Sequence, residues 1–339
     1  MEYRRLGDSD LHISALGLGT NNFGRRLSDP AIATRIVDAA MDAGVNYLDT
    51  SNDYGGKHVA ERFIRDAIKG RRDQVIITTK VGSRMGDGPD DAGGGRTHIV
   101  AQLEESLRAL GTDYVDVYMV HRPDSVTPIE ETLRALNELV NAGKVRYLGT
   151  SNFAAWEMCE ADWIATNAGL NRFVCIEPEY SLLRRDVEPE LVPFCEQYHV
   201  GMTPFYPLAG GFLTGKYQRG VDAPAGTRLA IAANQGDRWL TDANFDAIER
   251  IAAFCERTGH AMADVALAWL LANPVVSSVI AGASSPDQVI QNVRTADFRL
   301  SDAEKAELDA VLDDGMPLVV AGALAQARQS LSAHRRPGR

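Results

Sequence analysis

The chain has 339 residues, 45% of them hydrophobic, which is ample for a large core and fits either two domains or one α/β barrel. Its formal net charge of −11 comes from acids and bases that are interleaved rather than blocked. That pattern argues against a nucleic-acid or anionic-membrane surface, so an anionic ligand needs a local basic patch.

Residues 1–14 alternate around Gly7-Asp8-Ser9-Asp10, which predicts a hairpin plugging one end of the fold. The charged start leads into no long apolar run, and no run reaches membrane-spanning length, so a cytoplasmic protein is expected. Ala15 to Thr20 predicts a short buried strand. Asp29-Pro30 then opens a helix with Ile32, Ile36, Ala40 and Ala43 on one face, closed by Gly44. The alternation continues with strand 46–51, helix 57–69, strand 75–80 and a helix capped by Thr97. Next come strand 115–121, helix 128–142, strand 145–151, helix 154–168, strand 173–178, helix 188–199 and strand 201–206. Residues 207–240 read as a long Gly- and Pro-rich loop, a length that marks a functional segment. Helices over 242–257 and 262–272, strand 275–280 and helix 286–294 complete the pattern. Beyond them, 301–313 predicts one more helix, 316–325 an apolar segment over the mouth, and 332–339 a mobile tail.

Eight strands, each a continuous apolar run, with helices between them predict a single (β/α)8 TIM barrel domain over 1–339 with an N-terminal hairpin plug and extra C-terminal helices. A doubly wound sheet is the alternative. Its Gly-rich first turn is incomplete, because Gly17-Leu18-Gly19-Thr20 lacks the third glycine. Cys159, Cys175, Cys195 and Cys255 show neither CxxC spacing nor close pairing and read as reduced thiols.

Three successive strands end on or just before chemically able residues: Asp49 with Tyr54 in the next turn, Lys80, and His121. Taken singly, each has an ordinary structural use. Neighbouring parallel strands lie about 4.8 Å apart, so their ends converge on one small volume. A phenol titrates near 10, and a nearby ammonium favours the phenolate. Asp49 would hold Lys80, and His121 could orient a substrate oxygen toward Tyr54, a set suited to proton transfer at a carbonyl or alcohol oxygen. Two competing chemistries are weaker. Asp49 and His121 could ligate a metal, but no HxH or HExxH occurs. Asp49 and Glu177 could act as glycosidase carboxylates, yet Lys80 would keep the intended acid ionised.

These motifs resemble the aldo-keto reductase superfamily from about Leu6 to Asn292, on the side of the family that includes the potassium-channel β subunits. Asp49-Thr50-Ser51-Asn52-Asp53-Tyr54-Gly55 is similar to its DTAxxYG, and Thr79-Lys80-Val81-Gly82 to its TKVG. Gly111 to Asp116 with His121-Arg122-Pro123-Asp124 is similar to its LGxDYxDLxxxHxPD, and Gly149 to Phe153 to its GxSNF. The resemblance implies that Tyr54 is the general acid, Lys80 lowers its pKa, Asp49 anchors Lys80 and His121 orients the carbonyl. Hydride would come from a nicotinamide cofactor across the barrel mouth, NADPH by family expectation with NADH as the alternative.

By the same resemblance, Asp49, Thr20 and Asn21 line the cofactor, Ser151 and Asn152 hold the nicotinamide carboxamide, and Phe205 with Tyr206 flanks the ring. Pro207, Leu208, Gly210, Lys216 and Arg228 match the pyrophosphate belt, and Gly282, Ser284, Gln288 and Asn292 the adenosine end. Glu177 stands where the family pairs a Gln with the amide; if ionised, it would favour the oxidised, cationic ring. Gly282 and Gln288 stand where many members clamp a 2′-phosphate with Lys and Arg. Phe23, Arg84, Met85 and Arg122 are expected to line the pocket of a small carbonyl or sugar-like substrate. The channel-associated branch carries Asn at the position of His121, so retention of His121 favours an enzyme over a cofactor-binding regulatory subunit.

Overall fold

The computed structural model describes residues 1–231 and 233–313. The hairpin pairs β1 (Tyr3–Arg5) with β2 (His12–Ser14) antiparallel. Eight parallel strands follow: β3 (Leu16–Gly19), β4 (Tyr47–Asp49), β5 (Ile76–Val81), β6 (Val115–Val120), β7 (Val145–Ser151), β8 (Phe173–Glu177), β9 (Gly201–Met202) and β10 (Val279–Gly282). Their spatial order is β10-β3-β4-β5-β6-β7-β8-β9. The two ends of that order meet, because Met202 N–H donates to Val275 C=O at 2.7 Å and Ser277 N–H to Met202 C=O at 2.8 Å. The expected α/β barrel is thus formed, and the doubly wound alternative falls.

The first six helices are α1 (Pro30–Asp42), α2 (Val59–Ile68), α3 (Arg96–Leu110), α4 (Ile129–Asn141), α5 (Ala155–Ala168) and α6 (Leu191–Tyr198). After β9 come α7 (Arg228–Ile231), α8 (Ala233–Trp239), α9 (Asp242–Thr258), α10 (Met262–Leu271), α11 (Pro286–Asp297) and α12 (Asp302–Asp313). Asp29 starts α1 as expected, its carboxylate accepting from Ala31 N–H at 2.8 Å with Pro30 in the first turn.

Several boundaries differ from the sequence pattern. Thr97 does not cap α3; Gly95 holds that position in extended backbone and Thr97 lies inside the first turn. The seventh barrel strand stops at Met202, since Pro204 has no N–H to continue the ladder. Phe205 N–H instead donates to Pro178 C=O at 3.0 Å. Residues 275–278 give the closing bonds and the last strand begins only at Val279. The helix expected over 188–199 is confined to 191–198, and 207–240 holds a 3-10 segment at 209–214 and two short helices. The expectations for 316–325 and 332–339 lie outside the described residues.

Alternation along each strand decides what faces the barrel axis. Tyr47 and Asp49, Thr78 and Lys80, Val117 and Met119, and Cys175 and Glu177 share that parity. The lower layer is apolar: Tyr47, Val117, Met119, Cys175 and Ile280 pack with Leu6, Leu11 and Ile13 of the hairpin plug. The upper layer is polar and lies at the C-terminal ends of the strands, where barrels of this type carry their sites.

The plug depends on one tight approach. Gly7 has φ of +54°, and a Cβ there would lie 2.0 Å from Val174 C=O and 2.7 Å from Gly201 N. Gly7→Ala is therefore expected to lose roughly 1–3 kcal/mol of stability, or more if β1 and β2 detach. Urea unfolding followed by circular dichroism measures it.

Candidate active site at the barrel mouth

The pocket at the mouth is lined by Gly19, Asn21, Asn22, Asp49, Tyr54, His121, Arg122, Ser151, Asn152, Glu177, Phe205, Tyr206, Arg228, Ile280 and Gly282. Every barrel strand delivers a group to this region from its end or the following turn, the short β9 through Phe205 and Tyr206. Lys80, wholly buried beneath it, contacts Asp49 in a short ion pair and donates to Thr50 C=O at 3.1 Å and to Tyr54 Oη at 3.3 Å. Its ammonium also lies 3.3 Å from Glu177 Oε1.

One ammonium therefore faces two carboxyl groups. Burial opposes charge on all three, but Asp49, the closest partner, holds Lys80 protonated. Asp49 is raised by burial and drawn back by Lys80, its closest partner. Glu177 is raised well above the ordinary carboxylate range by burial and by the charge of Asp49. The low-charge state is Lys80 ammonium, Asp49 carboxylate and a protonated Glu177. The expectation drawn from an ionised Glu177, preference for the oxidised ring, is corrected by this burial.

Tyr54 calls for a second correction. Lys80 does pull its hydroxyl down, as expected, but burial outweighs that pull, and Asp49 and Glu177 add to it, so the pKa is raised. Tyr54 is a firmly protonated phenol with a cation behind it, a proton donor whose phenolate is stabilised only once it forms. The His121 ring stands edge-on to it, with centroids 5.9 Å apart. Burial first, then Lys80, push the imidazole down to about 3, so His121 is neutral.

The residues expected to meet a cofactor divide into groups. Asn21, Ser151, Asn152, Glu177, Phe205, Tyr206, Arg228 and Gly282 line the pocket. Asn152 sits at φ +63°, a conformation asparagine tolerates better than most residues. It spends its amide hydrogens on His121 C=O at 3.0 Å and Ser151 Oγ at 2.9 Å, while Ser151 Oγ donates to Glu177 C=O at 2.8 Å. Arg228 donates to Tyr206 Oη at 2.6 Å and lies over its ring.

Thr20 does not line the pocket. It is wholly buried, and both its N–H and its hydroxyl donate to Asp49 C=O at 2.9 Å, bracing the end of β4. Pro207, Leu208, Gly210 and Lys216 lie beyond the central pocket, with Lys216 Nζ 3.2 Å from where a Gly211 Cβ would stand. Ser284, Gln288 and Asn292 cluster around the start of α11. There Gln288 Oε1 accepts from Ser284 N–H and Oγ, both at 2.8 Å, and Asn292 donates to Gly282 C=O at 3.3 Å.

Of the expected substrate residues, Arg122 lines the pocket. Phe23 does not: it is fully buried in the core against Phe63, because the turn after β3 folds it inward. Arg84 turns back on its own loop, donating to Gly86 and Gly88 C=O at 3.2 Å, and Met85 is half-buried there, outside the pocket.

Sequence reasoning missed Gly19, Asn22 and Ile280 as lining residues, and Arg26, whose guanidinium donates to Arg228 C=O at 3.3 Å. Burial and the charge of Arg228 hold Arg26 below the ordinary arginine range. The adjacent pair Arg25-Arg26 in the turn after the first barrel strand was the available signal. Among the described residues there is no cluster of three or more His, Cys, Asp or Glu disposed to hold a metal, and no helix is long and apolar enough to cross a membrane.

A family model described as the aldo/keto reductase family matches residues 15–313. The chain is 38% identical over 304 residues to a probable voltage-gated potassium channel subunit beta of Oryza sativa subsp. japonica, covering 88% of this chain and 92% of that protein. It is 34% identical over 332 residues to the L-glyceraldehyde 3-phosphate reductase of Escherichia coli (strain K12), covering 93% of each. Among solved structures, the holo form of aldo-keto reductase AKR11C1 from Bacillus halodurans superposes with a TM-score of 0.76 at 31% identity. That match covers 93% of this chain and 98% of the other.

Two outcomes test the charge state. Lys80→Met strands Asp49 as a buried, unpaired charge and is expected to lose roughly 3–5 kcal/mol, most of it recovered when Asp49→Asn is added; urea unfolding of the three proteins measures this. For Glu177 the sign follows from proton uptake. A glutamate titrates near 4.5 without the fold, while the folded carboxyl keeps its proton to higher pH. Folding takes up a proton across that window, so wild-type stability falls as pH rises through it. The melting temperature of Glu177→Gln should therefore gain on wild type as pH increases.

Proposed function

The chain belongs to the aldo/keto reductase family, and from that premise and the chemistry of the barrel mouth we propose that it reduces a small aldehyde or ketone to the alcohol, reversibly, with NADPH as hydride donor. The observation that carries the reading is the buried Asp49–Lys80–Tyr54 chain, which ends on a protonated phenol in the pocket wall beside a neutral imidazole.

Members of the family generally use nicotinamide cofactors, which supply the hydride when bound. The groups present suit such a ligand. Among the described residues Glu177 Oε2 has no hydrogen-bond partner; it is buried at the pocket wall, in the position the family gives to an amide-pairing Gln. A protonated carboxyl differs little from that Gln in shape and can still offer an unshared oxygen. Asn152, its hydrogens spent inside the protein, has only Oδ1 left for a ligand. Phe205 offers a ring face, for which stacking geometry is favourable. Arg228, Arg26 and Lys216 form a basic rim that answers the need for local positive charge in a chain of net charge −11. Ser284, Gln288 and Asn292 would take the adenosine end; without a clamp of Lys and Arg at Gly282 and Gln288, NADH is the alternative cofactor.

In the proposed reaction Tyr54 donates its proton to the carbonyl oxygen as hydride arrives, and Lys80 steadies the phenolate left behind. Asp49 keeps Lys80 fixed and charged, making it a positioning residue. The substrate class is a small carbonyl compound, including sugar-like ones; the relative from Escherichia coli acts on L-glyceraldehyde 3-phosphate by its name. A second reading, a cofactor-binding regulatory subunit, draws support from the relatives named as channel β subunits.

Tyr54→Phe separates the two. The expected outcome is NADPH binding retained in fluorescence titrations, with carbonyl reduction reduced by about 10²–10⁴-fold across a panel of aldehydes and ketones. Turnover equal to wild type would defeat the reductase mechanism, and binding without turnover in wild type would favour the regulatory reading.

A further inference from the structure

Two elements must keep their spacing if the Tyr54 hydroxyl is to stay against Lys80: the turn over 50–58, which carries the phenol, and β5, which carries the ammonium. The first end of the turn is fixed to β5 by the backbone. Thr50 N–H donates to Thr78 C=O at 2.9 Å and Asn52 N–H to Lys80 C=O at 3.4 Å. The second end runs into α2. There Ala60 N–H, one of the donors that a helix start leaves unpaired, donates to Tyr54 C=O at 3.1 Å. The backbone beneath the phenol therefore moves with the first turn of α2.

A buried carboxyl joins that first turn to β5. Glu61 is wholly enclosed, and its Oε1 accepts at 2.5 Å from Oγ1 of Thr79, the residue before Lys80. Its Oε2 lies 2.5 Å from Nδ1 of His58, the residue from which α2 starts. At that separation one hydrogen lies between nitrogen and oxygen whichever atom holds it, so the tie exists in either charge state. His58 stands at φ +62°, in the left-handed region, and its side chain makes no capping bond to the helix. The ring is spent on Glu61 instead. Ala60, Ile64 and Ile68 press α2 onto the core, but apolar contact has no direction. Among the described residues, the bond from Thr79 to Glu61 is the one hydrogen bond between β5 and α2.

Resting on the reductase reading, in which Tyr54 gives its proton to the carbonyl, we infer that Glu61 is a positioning residue for that transfer: holding His58 with one oxygen and Thr79 with the other, it sets the Tyr54 hydroxyl at its distance from Lys80. Glu61 does not line the pocket and touches no reacting atom, so its effect passes through Tyr54. The groups offered to a cofactor at Ser151, Asn152, Glu177 and Gly282 hang from β7, β8 and β10. Loss of the tie should therefore slow the chemical step and spare cofactor binding.

Thr79→Val and Thr79→Ser test this together, because valine lacks the hydroxyl and serine keeps it. The first readout needs no turnover. NMR of protein carrying tyrosine labelled with ¹³C at Cζ reports the surroundings of the phenol oxygen, with Tyr54→Phe identifying the resonance. That resonance is expected to shift or broaden in Thr79→Val and to return to its wild-type position in Thr79→Ser. A Tyr54 resonance unmoved in Thr79→Val overturns the inference whatever the enzyme turns over.

The second readout is steady-state reduction of the same aldehydes and ketones. Thr79→Val is expected to lose roughly 10–10²-fold in kcat, the scale of an ångström of misplacement, with the Kd for NADPH unchanged and kcat restored in Thr79→Ser. In a Tyr54→Phe background the same substitution should cost nothing further, since the group it positions is gone. An equal loss in both backgrounds, or a loss that appears in NADPH affinity, is what a merely structural role would produce and overturns the inference. Absence of turnover in wild type defeats the reductase reading on its own, and the resonance of Tyr54 then decides whether Glu61 places the phenol.

Discussion

Everything at the barrel mouth depends on one buried cation. Lys80 is wholly enclosed, and an ammonium in that position is tolerable only if compensated at once. Asp49 supplies the compensation from the neighbouring strand, and the requirement ties the two strand ends together. Because Asp49 pairs in register with Thr78, Lys80 lies one side-chain repeat further along on the same face. The two groups meet without any distortion of the strands. A second carboxyl, Glu177, arrives across the barrel and cannot also be ionised without leaving a net negative charge in the interior. Its protonation follows from counting charges as much as from burial.

The same enclosure explains why Tyr54 departs from the simple expectation. A cation near a phenol lowers its pKa in isolation, but here the cation is already shared with Asp49 and sits under a lid of buried carboxyls. Burial outweighs the pull of the cation, and desolvation decides the direction. For reduction this is useful. The acid stays protonated until charge develops on the substrate, and Lys80 responds to that charge without having to move.

Much of this was legible in the sequence because barrel strands announce their ends. An apolar run that stops at Asp49, Lys80, His121 or Glu177 places each residue at the C-terminal rim before any contact is known. Less legible were features set by neighbours distant in the chain. Phe23 looks like a rim aromatic until the turn after β3 folds it against Phe63. Thr20 looks like a ligand donor, yet both of its hydrogens are spent on Asp49 C=O. The last strand starts late because Val275 and Ser277 are occupied in closing the barrel on Met202. Thr97 was misplaced by a capping preference that α3 satisfies without a side chain. Nothing in the sequence shows whether Glu177 is charged, since that depends on the contents of the barrel across from it.

The mouth is held by bonds that pass from one strand end to the next. Thr20 after β3 binds the Asp49 carbonyl, His121 N–H donates to Val81 C=O at 2.8 Å, Asn152 binds the His121 carbonyl, and Ser151 binds the Glu177 carbonyl. Each bond fixes the backbone beneath a side chain that faces the pocket. Loops elsewhere on the rim can vary in length while these positions stay locked, since the side chains hang from strands whose ends are cross-braced. Placement to within a fraction of an ångström is what proton and hydride transfer require. The bracing ties strand ends from all round the barrel into one unit beneath the pocket.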